Sequence, residues 1–353
     1  MCQCLAVEGQ TRSRPVAFKR IAVDTSKAVF TVHGIDEADR AVLRRDLSRA
    51  RFEAFVASIE PTEFVLEASG GAHHWGRVLE AHGHRVRLIP PQYVKPFVRR
   101  GKNDRADAQA ICEAAGRPGM SVVPVRSLER QAQAMVLRVR ERLVLQRTQL
   151  INSLRGHATE FGIVVARGCS RIPELMERLR GDEGVPAAAV REMERLQRCI
   201  EVLDGKISTL DRELAEAAKV HEVARRLTGV PGIGPIGAMT LVLTLETAQF
   251  ESGRHLAAWL GLVPREHSSG GKQRLGRISK AGNTRIRQLL VLGATAAIRH
   301  TRPGSQSASP WLLALLERKP RKLAAIALAN KMARVVWAMM ERGTAYRPHA
   351  AMA

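Results

Sequence analysis

Four acidic residues stand where carboxylates could meet in a folded chain and bind metal ions. Asp24 ends one strand-like segment, and Glu67 ends another within VLEASG. Asp104 and Asp107 lie three residues apart in KNDRADAQA, so they share one face if this segment is helical. Mg²⁺ prefers carboxylate oxygens, and two ions about 4 Å apart can hold a phosphodiester for in-line displacement. The spacing predicts a phosphoryl-transfer site that binds Mg²⁺, as two ions, through Asp24, Glu67, Asp104 and Asp107.

Each of these acids taken alone has a plainer explanation. An Asp after a strand is commonly a turn former or a helix cap. Asp104 and Asp107 could instead pair with Lys102 or Arg105 on a solvated face. The joint pattern is much more specific than its parts: a D-[TS]-[SA]-K start, an LEA[ST]G strand end and a K-x-D-x-x-D-A helix follow in that order. The metal-site interpretation depends on this joint pattern.

A second motif is the glycine-rich segment LTGVPGIGPIGAMTLV at 227–242. Its G-x-P-G-I-G core is typical of a helix-hairpin-helix module that binds nucleic acid. Gly232 and Gly234 would let the backbone approach a ligand, and free N–H groups at the next helix N-terminus could hold a phosphate. The alternative is an interhelical turn without a ligand.

A third motif is the basic segment GLVPREHSSGGKQRLGRISKAGN at 261–283, which we interpret as a flexible loop. Ser269 could attack a phosphodiester if a nearby base or metal activated it. Alternatively, Ser268 and Ser269 form the loop and donate to phosphate, and composition alone favours this second interpretation. His267 is a possible base for the serine, although a histidine beside a serine is more often incidental. The candidate nucleic-acid contacts of this loop are Arg265, Lys272, Arg274, Arg277 and Lys280.

The elements that must position these residues differ along the chain. Residues 19–125 have the pattern of an α/β domain. Strands are expected at 19–23, 28–35, 42–46, 63–66 and 85–89, and helices at 47–59, 75–82 and 104–115. Residues 1–18 are expected to form a disordered leader. This arrangement would place three of the predicted elements directly beside the four acids.

The middle segment, 126–222, is predicted to be helical with the apolar seam of a coiled coil. Leucines and isoleucines keep four-three spacing from Leu196 to Leu214. The same seam would suit a helical hairpin within one chain or a contact between two chains, and both can hold at once. Residues 223–347 are punctuated by glycine and mostly helical, and 348–353 form a short tail.

Composition indicates the class of partner. The chain has 56 Lys and Arg against 34 Asp and Glu, a formal charge of +22, which predicts a polyanionic partner such as nucleic acid. Aromatic residues make up only 4%, so contacts to the nucleic-acid backbone should dominate over base stacking. Five scattered cysteines favour reduced thiols and a cytoplasmic location. No stretch approaches the roughly 20 apolar residues of a spanning helix, so no membrane is expected.

The three motifs, in this order, resemble the DEDD-type transposases of bacterial insertion sequences, the "one-ten" family with its "eleven-eleven" subgroup, related to Piv-type DNA invertases. The resemblance extends from about residue 19 to 348. It implies a RuvC-like (RNase H-like) domain at 19–125, a coiled-coil dimerisation segment at 126–222, and a mostly α-helical transposase domain with a helix-hairpin-helix at 223–347. It also implies that the four acids bind metal and that Ser269 is the nucleophile.

The partners implied by the same resemblance are double-stranded DNA at the element ends and the target, a noncoding bridge RNA that guides the protein, and further copies of the chain in a dimer or tetramer. The expected function is a Mg²⁺-dependent recombinase in the bacterial cytoplasm. Two other functions stay open on the sequence. One is a metal-dependent nuclease or Holliday-junction resolvase in which the serine loop only binds DNA. The other is a DNA-binding protein without catalysis.

Overall fold

The computed structural model describes residues 17–98, 104–302 and 309–347. The chain divides into two compact units, Met1–Leu128 and Glu129–Ala353, and each is described by itself. Most of the predicted leader and the predicted tail lie outside the described residues.

The first unit is a mixed α/β layer structure. Its sheet has the strand order β3-β2-β1-β4-β5, in which β1–β2 and β2–β3 are antiparallel and β1–β4 and β4–β5 are parallel. The elements are β1 (Arg20–Thr25), β2 (Val29–Ile35), β3 (Ala41–Ser48), α1 (Arg49–Ser58), β4 (Glu63–Glu67), α2 (Ala72–Ala81), β5 (Arg85–Ile89), α3 (Pro91–Val94) and α4 (Asp104–Ala115). The α/β architecture expected for this part of the chain is confirmed.

Side-chain alternation along the strands gives the sheet two apolar faces. Ile21 and Val23 of β1 pack with helices α1 and α2, in a core that contains Phe30, Phe52 and Trp75 in edge-to-face contact. Residues of the other parity lie on the face covered by α4, where Ala22 and Val65 pack against Ile111. Burial on both faces fixes the register of the strands, because a shift of one residue would exchange the faces.

The second unit is almost entirely helical. Its elements are α5 (Leu128–Glu160), α6 (Ile172–Gly181), α7 (Ala187–Val220), α8 (Glu222–Leu227), α9 (Pro235–Thr244), α10 (Gly253–Trp259), β6 (Pro264–Glu266), β7 (Leu275–Ile278), α11 (Thr284–Arg299), α12 (Pro310–Arg318) and α13 (Arg321–Arg342). Strands β6 and β7 form an antiparallel pair. The predicted flexible loop is therefore partly wrong, since 264–278 form a β-hairpin.

Two long helices, α5 and α7, run antiparallel within the chain. Arg140 pairs with Asp211, and Arg147 lies 2.6 Å from Asp204, so residue numbers rise on one helix as they fall on the other. On α7 the stripe that keeps four-three spacing faces inward, and Ile200, Ile207 and Leu214 are buried. This pairing is the helical hairpin that the sequence left open beside a contact between chains.

The expectation that no stretch is long and apolar enough to span a membrane was wrong for helix α13. By length and composition alone, Arg321–Arg342 would be sufficient. Its apolar side chains, among them Ala329, Met332 and Val336, are buried in the core of the second unit together with residues of α10 and α11. A core helix of this kind passes the same test of length and composition, so the helix is weak evidence for a membrane.

Candidate functional site

Sheet topology and strand parity bring the first two acids together. Val23 of β1 lies opposite Leu66 of the parallel strand β4, so Asp24 and Glu67 follow at the carboxyl ends of neighbouring strands. Asp24 points to the same side of the sheet as Ala22, two residues earlier, and Glu67 points to the same side as Val65. Ala22 and Val65 lie opposite each other on the face that α4 covers, so both acids lie on that face. Carboxyl ends of adjacent parallel strands are common places for ligand sites in α/β sheets.

Helix α4 brings the other two acids to the same place. Asp104 and Asp107 lie in its first turn, three residues apart. Ligand oxygens of Asp24, Asp104 and Asp107 all lie within 4.8 Å of one another. Glu67 is not part of this close group, but its charge acts on Asp24 and the charge of Asp107 acts on it. The structure thus collects three of the four predicted acids tightly, with the fourth beside them.

Negative charge dominates this cluster. Burial, followed by the charges of Asp107, Asp104 and Glu67, raises the pKa of Asp24 from its ordinary 3.8 to about 6. Burial and the charge of Asp107 also raise the pKa of Glu67. Two like charges 4 Å apart repel by about 4 kcal/mol at an effective dielectric constant near 20. Ionisation of the cluster at neutral pH therefore costs free energy through burial and mutual repulsion, and a bound cation would offset that cost.

A buried carboxylate at the other end of β4, that of Glu63, is neutralised by arginines. Glu63, at the start of β4, is 2.6 Å from Arg20, 3.1 Å from Arg85 and 3.7 Å from Arg87. Among the described residues no Lys or Arg forms an ion pair with any of the four acids. Arg105, a sequence candidate for pairing with Asp104 or Asp107, instead binds Asp46 at 2.9 Å. Lys102, the other candidate, lies outside the described residues.

The donor set fits a hard divalent cation. It consists of carboxylate oxygens from two strand ends and one helical turn, without a histidine or cysteine ligand in the cluster. Mg²⁺ takes one or two carboxylates in such sites and completes its shell with water and substrate phosphate. Asp24, Asp104 and Asp107 would hold the ion directly, and Glu67 is placed for a neighbouring position.

The glycine-rich segment of the second unit joins α8 to α9. A Cβ on Gly232 would lie 2.2 Å from the carbonyl oxygen of Gly293 in α11, so the close approach at Gly232 is to the protein's own backbone. Gly234 precedes α9, is exposed, and has no atom within 4 Å of its Cβ position. Of these two predicted glycines, Gly234 is the one with open space for a phosphate beside a helix N-terminus.

The serine segment ends in a two-residue turn. Ser269 pairs with Lys272 across Gly270 and Gly271, whose φ angles are 57° and 74°. Two consecutive positive φ values define the type I′ turn that suits the twist of a β-hairpin, and Gly-Gly is among the sequences that favour it. The sequence analysis predicted a loop here and not a hairpin. The Gly-Gly pair in Ser-Gly-Gly-Lys is a signal that could have predicted the hairpin.

The two serines of this hairpin have different environments. The hydroxyl oxygen of Ser268 accepts a hydrogen bond from the backbone N–H of Arg274 at 3.1 Å. The Ser269 hydroxyl has no hydrogen-bond partner in the described part of the chain, and it is exposed at the tip. The ring of His267 lies over Gly276 on the opposite strand, 3.3 Å from the position that a Cβ there would take. Both serines are exposed, and of the two Ser269 is the one whose hydroxyl makes no hydrogen bond to the described residues.

The hairpin also presents positive charge. Five basic side chains of this segment were predicted to contact nucleic acid, and all five are exposed. None of them forms an ion pair with another described residue. Arg265 donates to the carbonyl oxygen of Ser279 at 3.2 Å, which leaves its charge without a carboxylate partner. These unpaired cations are Arg265, Lys272, Arg274, Arg277 and Lys280. They are suited to contacts with a phosphate backbone.

Comparisons with known proteins identify the family of the chain. Residues 21–163 match a family model described as a transposase of the DEDD IS110 type, and residues 224–309 match one described as the transposase IS116/IS110/IS902 family. A probable family 20 transposase of Pseudomonas aeruginosa is 46% identical over 333 residues, 93% of this chain and 98% of that protein.

Two further relatives are transposases of defined elements. The transposase for insertion sequence element IS1111A of Coxiella burnetii is 41% identical over 334 residues, 93% of this chain and 91% of that protein. The transposase for element IS1328 of Yersinia enterocolitica is 36% identical over 327 residues, 92% of this chain and 98% of that protein. The family's activity is DNA transposition, which sets aside a DNA-binding protein without catalysis. Identity at this level over nearly the whole length shows that the chain belongs to the IS116/IS110/IS902 family of insertion-sequence transposases.

Proposed function

We propose that the protein cuts and rejoins DNA at the ends and target of its element through a serine nucleophile assisted by a Mg²⁺ site. The observation that carries the proposal is the cluster of Asp24, Asp104 and Asp107, whose oxygens lie within 4.8 Å of one another. In its site, Mg²⁺ would supply a Lewis acid for the scissile phosphate. Glu67 would complete the set of four acids.

Ser269 supplies the nucleophile in this proposal. Its oxygen forms a bond to phosphorus while one deoxyribose oxygen leaves, and the serine proton is returned to that oxygen in the overall reaction. The phosphoserine bond conserves the energy of the broken phosphodiester, so attack by the hydroxyl of another strand end can restore a DNA backbone. The free cations of the hairpin offset the negative charge that develops at the phosphate.

The alternative mechanism is hydrolysis. The same acids would activate water, and the serine hairpin would only hold DNA, as in a metal-dependent nuclease or junction resolvase. The serine mechanism requires a hydroxyl that can reach a phosphate, and the exposed Ser269 hydroxyl meets this requirement. Denaturing electrophoresis of the protein with labelled element-end DNA and Mg²⁺ separates the two, since only the serine mechanism leaves DNA bonded to protein.

Several finer features belong to the same proposal. The mixed sheet with order β3-β2-β1-β4-β5 supports a RuvC-like domain at 19–125. The exposed N-terminus of α9 at Gly234 supports a helix-hairpin-helix within a transposase domain at 223–347. The long helices among α5 to α7 support a coiled-coil segment at 126–222. The described cysteines, Cys112, Cys169 and Cys199, are free, which supports a location in the bacterial cytoplasm, where the element's DNA lies.

The α5–α7 hairpin leaves apolar surface uncovered, which supports association of two copies. Two open pockets that meet at Val202 form a groove along the pair. Its apolar lining is Val139, Leu143, Leu150, Val202, Leu203 and Leu210, and Arg195, Arg198 and Lys206 also line it. Val202 is 57% exposed. Strand exchange also needs more than one active site, so we propose that the groove receives the same hairpin of a second protomer in a dimer or tetramer.

A glutamate in this groove should prevent association. Val202→Glu would bury a carboxylate between the protomers, and although Arg198 and Lys206 also line the groove, burial of such a pair is costly because both charges lose water. We expect light scattering to give a lower mass for this variant, approaching the monomer mass of 38.8 kDa. Val220→Glu is the matched control, because Val220 is 88% exposed on the same helix and does not line the groove. A wild-type protein that is monomeric, or a Val202→Glu variant with unchanged mass, would contradict the proposed interface.

We also propose that a noncoding bridge RNA guides the choice of DNA. The charge of +22 and the low aromatic content support binding of a structured RNA through its shape and backbone. Sequencing of RNA that co-purifies with the protein expressed from its own element should recover one recurring structured transcript. Recovery of random cellular fragments alone would count against guiding.

A further inference from the structure

The serine hairpin leaves the helical core through a narrow neck. On one side of the neck lie Leu260 and Gly261, and on the other lie Ala281 and Gly282. A Cβ on Gly261 would be 2.3 Å from the backbone nitrogen of Ala281, and one on Gly282 would be 1.9 Å from the carbonyl oxygen of Trp259. Backbone therefore packs directly on backbone at this point, without room for side chains between the two segments.

One buried guanidinium joins the two sides of the neck. Arg287, in the first turns of α11, donates from the same nitrogen to the carbonyl oxygens of Leu260, at 2.9 Å, and of Ala281. Its second terminal nitrogen donates to Thr284 Oγ1 at 3.0 Å. Arg287 is 8% exposed, and within the described residues it forms no ion pair. The positive charge is thus placed on backbone carbonyls at the base of the hairpin.

Helix capping alone does not explain this arrangement. The N-terminus of α11 is already capped by Asn283, which accepts from the N–H of Ile286 at 3.1 Å. Burial of a charge without a carboxylate is costly, and an apolar residue would fill the same space at lower cost. What the guanidinium adds is one nitrogen that donates to carbonyls from both sides of the neck, while Thr284 holds the other nitrogen and so fixes the plane of the group.

Asn330 of α13 also donates to the carbonyl oxygen of Leu262 at the neck, at 3.3 Å, but the described part of the hairpin beyond it has few contacts that could orient it. Residues 264–277 are all exposed, and Lys280, beside the neck, has a φ of 56°, which is uncommon for a residue with a side chain. Two backbone hydrogen bonds cross at the base: Ser279 to Val263 at 2.9 Å, and Lys280 to Gly261 at 3.2 Å. The direction in which the Ser269 turn projects is therefore set at its base.

We propose that Arg287 is a positioning residue for the transposition reaction: it fixes the neck of the serine hairpin and so orients Ser269 toward the phosphate without contacting DNA itself. The inference rests on the proposed serine mechanism. Reacting groups must be held in near-attack geometry, and a displacement of about 1 Å can cost roughly a hundredfold in rate. A hairpin that pivots about a loosened neck would bind DNA with the same cations but would present its hydroxyl poorly.

The test is single-turnover formation of the protein–DNA adduct by the full-length protein with element-end DNA, Mg²⁺ and any co-purifying RNA. Arg287→Gln should slow adduct formation at saturating DNA by roughly ten- to a hundredfold, while the DNA concentration for half saturation changes by less than about twofold. Arg287→Lys should recover part of the rate, because an ammonium can still donate to the neck carbonyls but lacks the second nitrogen that Thr284 holds in place.

Arg285→Gln is the matched control, since it removes the same charge from the same helix turn. Arg285 lies 3.6 Å from Glu141 and makes no contact with the neck. An equal loss of rate in Arg285→Gln and Arg287→Gln would overturn the proposal, because charge and not the neck would then be responsible. A rise in the half-saturating DNA concentration that accounts for the whole effect would also overturn it, since Arg287 would then act through DNA binding.

Hydrogen exchange separates failure of this inference from failure of the serine mechanism. The amides of Ser279 and Lys280 should exchange faster in Arg287→Gln, while those of α13 keep their protection and the melting temperature confirms folding. Unchanged exchange at the neck would overturn the role of Arg287. If the wild-type protein cleaves DNA without any adduct, the serine mechanism is wrong and the positioning role falls with it, whatever exchange reports about the neck.

Discussion

Replacing Ser269 with alanine is expected to abolish the covalent protein–DNA adduct and strand exchange, with DNA binding retained. The hydroxyl of Ser269 is exposed at the tip of a type I′ turn and has no partner in the residues that the structure describes, so its removal disturbs no internal contact. Loss of a nucleophile commonly lowers the rate by about 10⁴-fold or more. Denaturing electrophoresis with labelled element-end DNA measures the adduct, and fluorescence anisotropy measures binding.

Ser268→Ala is the informative comparison for this result. Its hydroxyl accepts from the N–H of Arg274 at 3.1 Å, so the variant loses a hairpin hydrogen bond but keeps the Ser269 oxygen. The adduct should persist in Ser268→Ala and form somewhat more slowly. An adduct that survives in Ser269→Ala and disappears in Ser268→Ala would assign the nucleophile to Ser268. Full cleavage by both variants would support hydrolysis by activated water.

The acid cluster could be predicted from the sequence because strand parity and helix periodicity both restrict where side chains point. Asp24 and Glu67 each end a short apolar strand, and Asp104 and Asp107 keep the three-residue spacing of one helix face. Parallel pairing of β1 with β4 then brings the strand ends together. The sequence did not predict that Glu67 stands outside the tightest group, because that depends on side-chain distances of a few ångströms.

The serine hairpin and its neck could not be predicted in the same way. Its strands are short, exposed and rich in charge, so they lack the alternation that identifies a half-buried strand. The role of Gly232 was likewise hidden, because its close contact is with Gly293, some sixty positions away in sequence. Arg287 is one of many arginines, and only the fold shows that it is buried. Contacts between separate segments decide the neck, the role of Gly232 and the burial of Arg287, whereas the Gly-Gly turn of the hairpin is a local signal.

Asp24→Asn should lower DNA cleavage by about 10²–10³-fold, the usual cost of removing one group that contributes to electrostatic stabilisation of a transition state. Asp24 is the member of the cluster on which the charges of all three other acids act. Saturating Mg²⁺ should raise the melting temperature of the wild-type protein by a few degrees, since a ligand at about 100 times its Kd stabilises by about 2.7 kcal/mol. The variant should lose most of this rise.

The pH dependence follows from the raised pKa of Asp24, about 6 against the ordinary 3.8. Without metal, the folded state binds a proton more tightly than the unfolded state, so this group stabilises the fold at low pH and that stabilisation is lost as the pH rises through 6. Metal binding needs the ionised carboxylate, so the Mg²⁺-induced rise should be largest near pH 8 and should decrease as the pH falls through 6. In Asp24→Asn the apo protein should be at least as stable as the wild type at pH 8, because one of several repelling charges is gone.

Asp36→Asn is the control for loss of a carboxylate in the same unit. Asp36 bonds the backbone N–H groups of Ala38 and Arg40 and forms an ion pair with the Arg40 side chain, so its removal costs some stability without changing the acid cluster. We expect Asp36→Asn to keep the Mg²⁺-induced rise and its pH dependence. If Asp24→Asn retained the full rise, or if Asp36→Asn lost it equally, the cation would be bound elsewhere. Only protons could then relieve the repulsion among the clustered carboxylates. With a pKa near 6, Asp24 is mostly unprotonated at neutral pH, so the repulsion would remain.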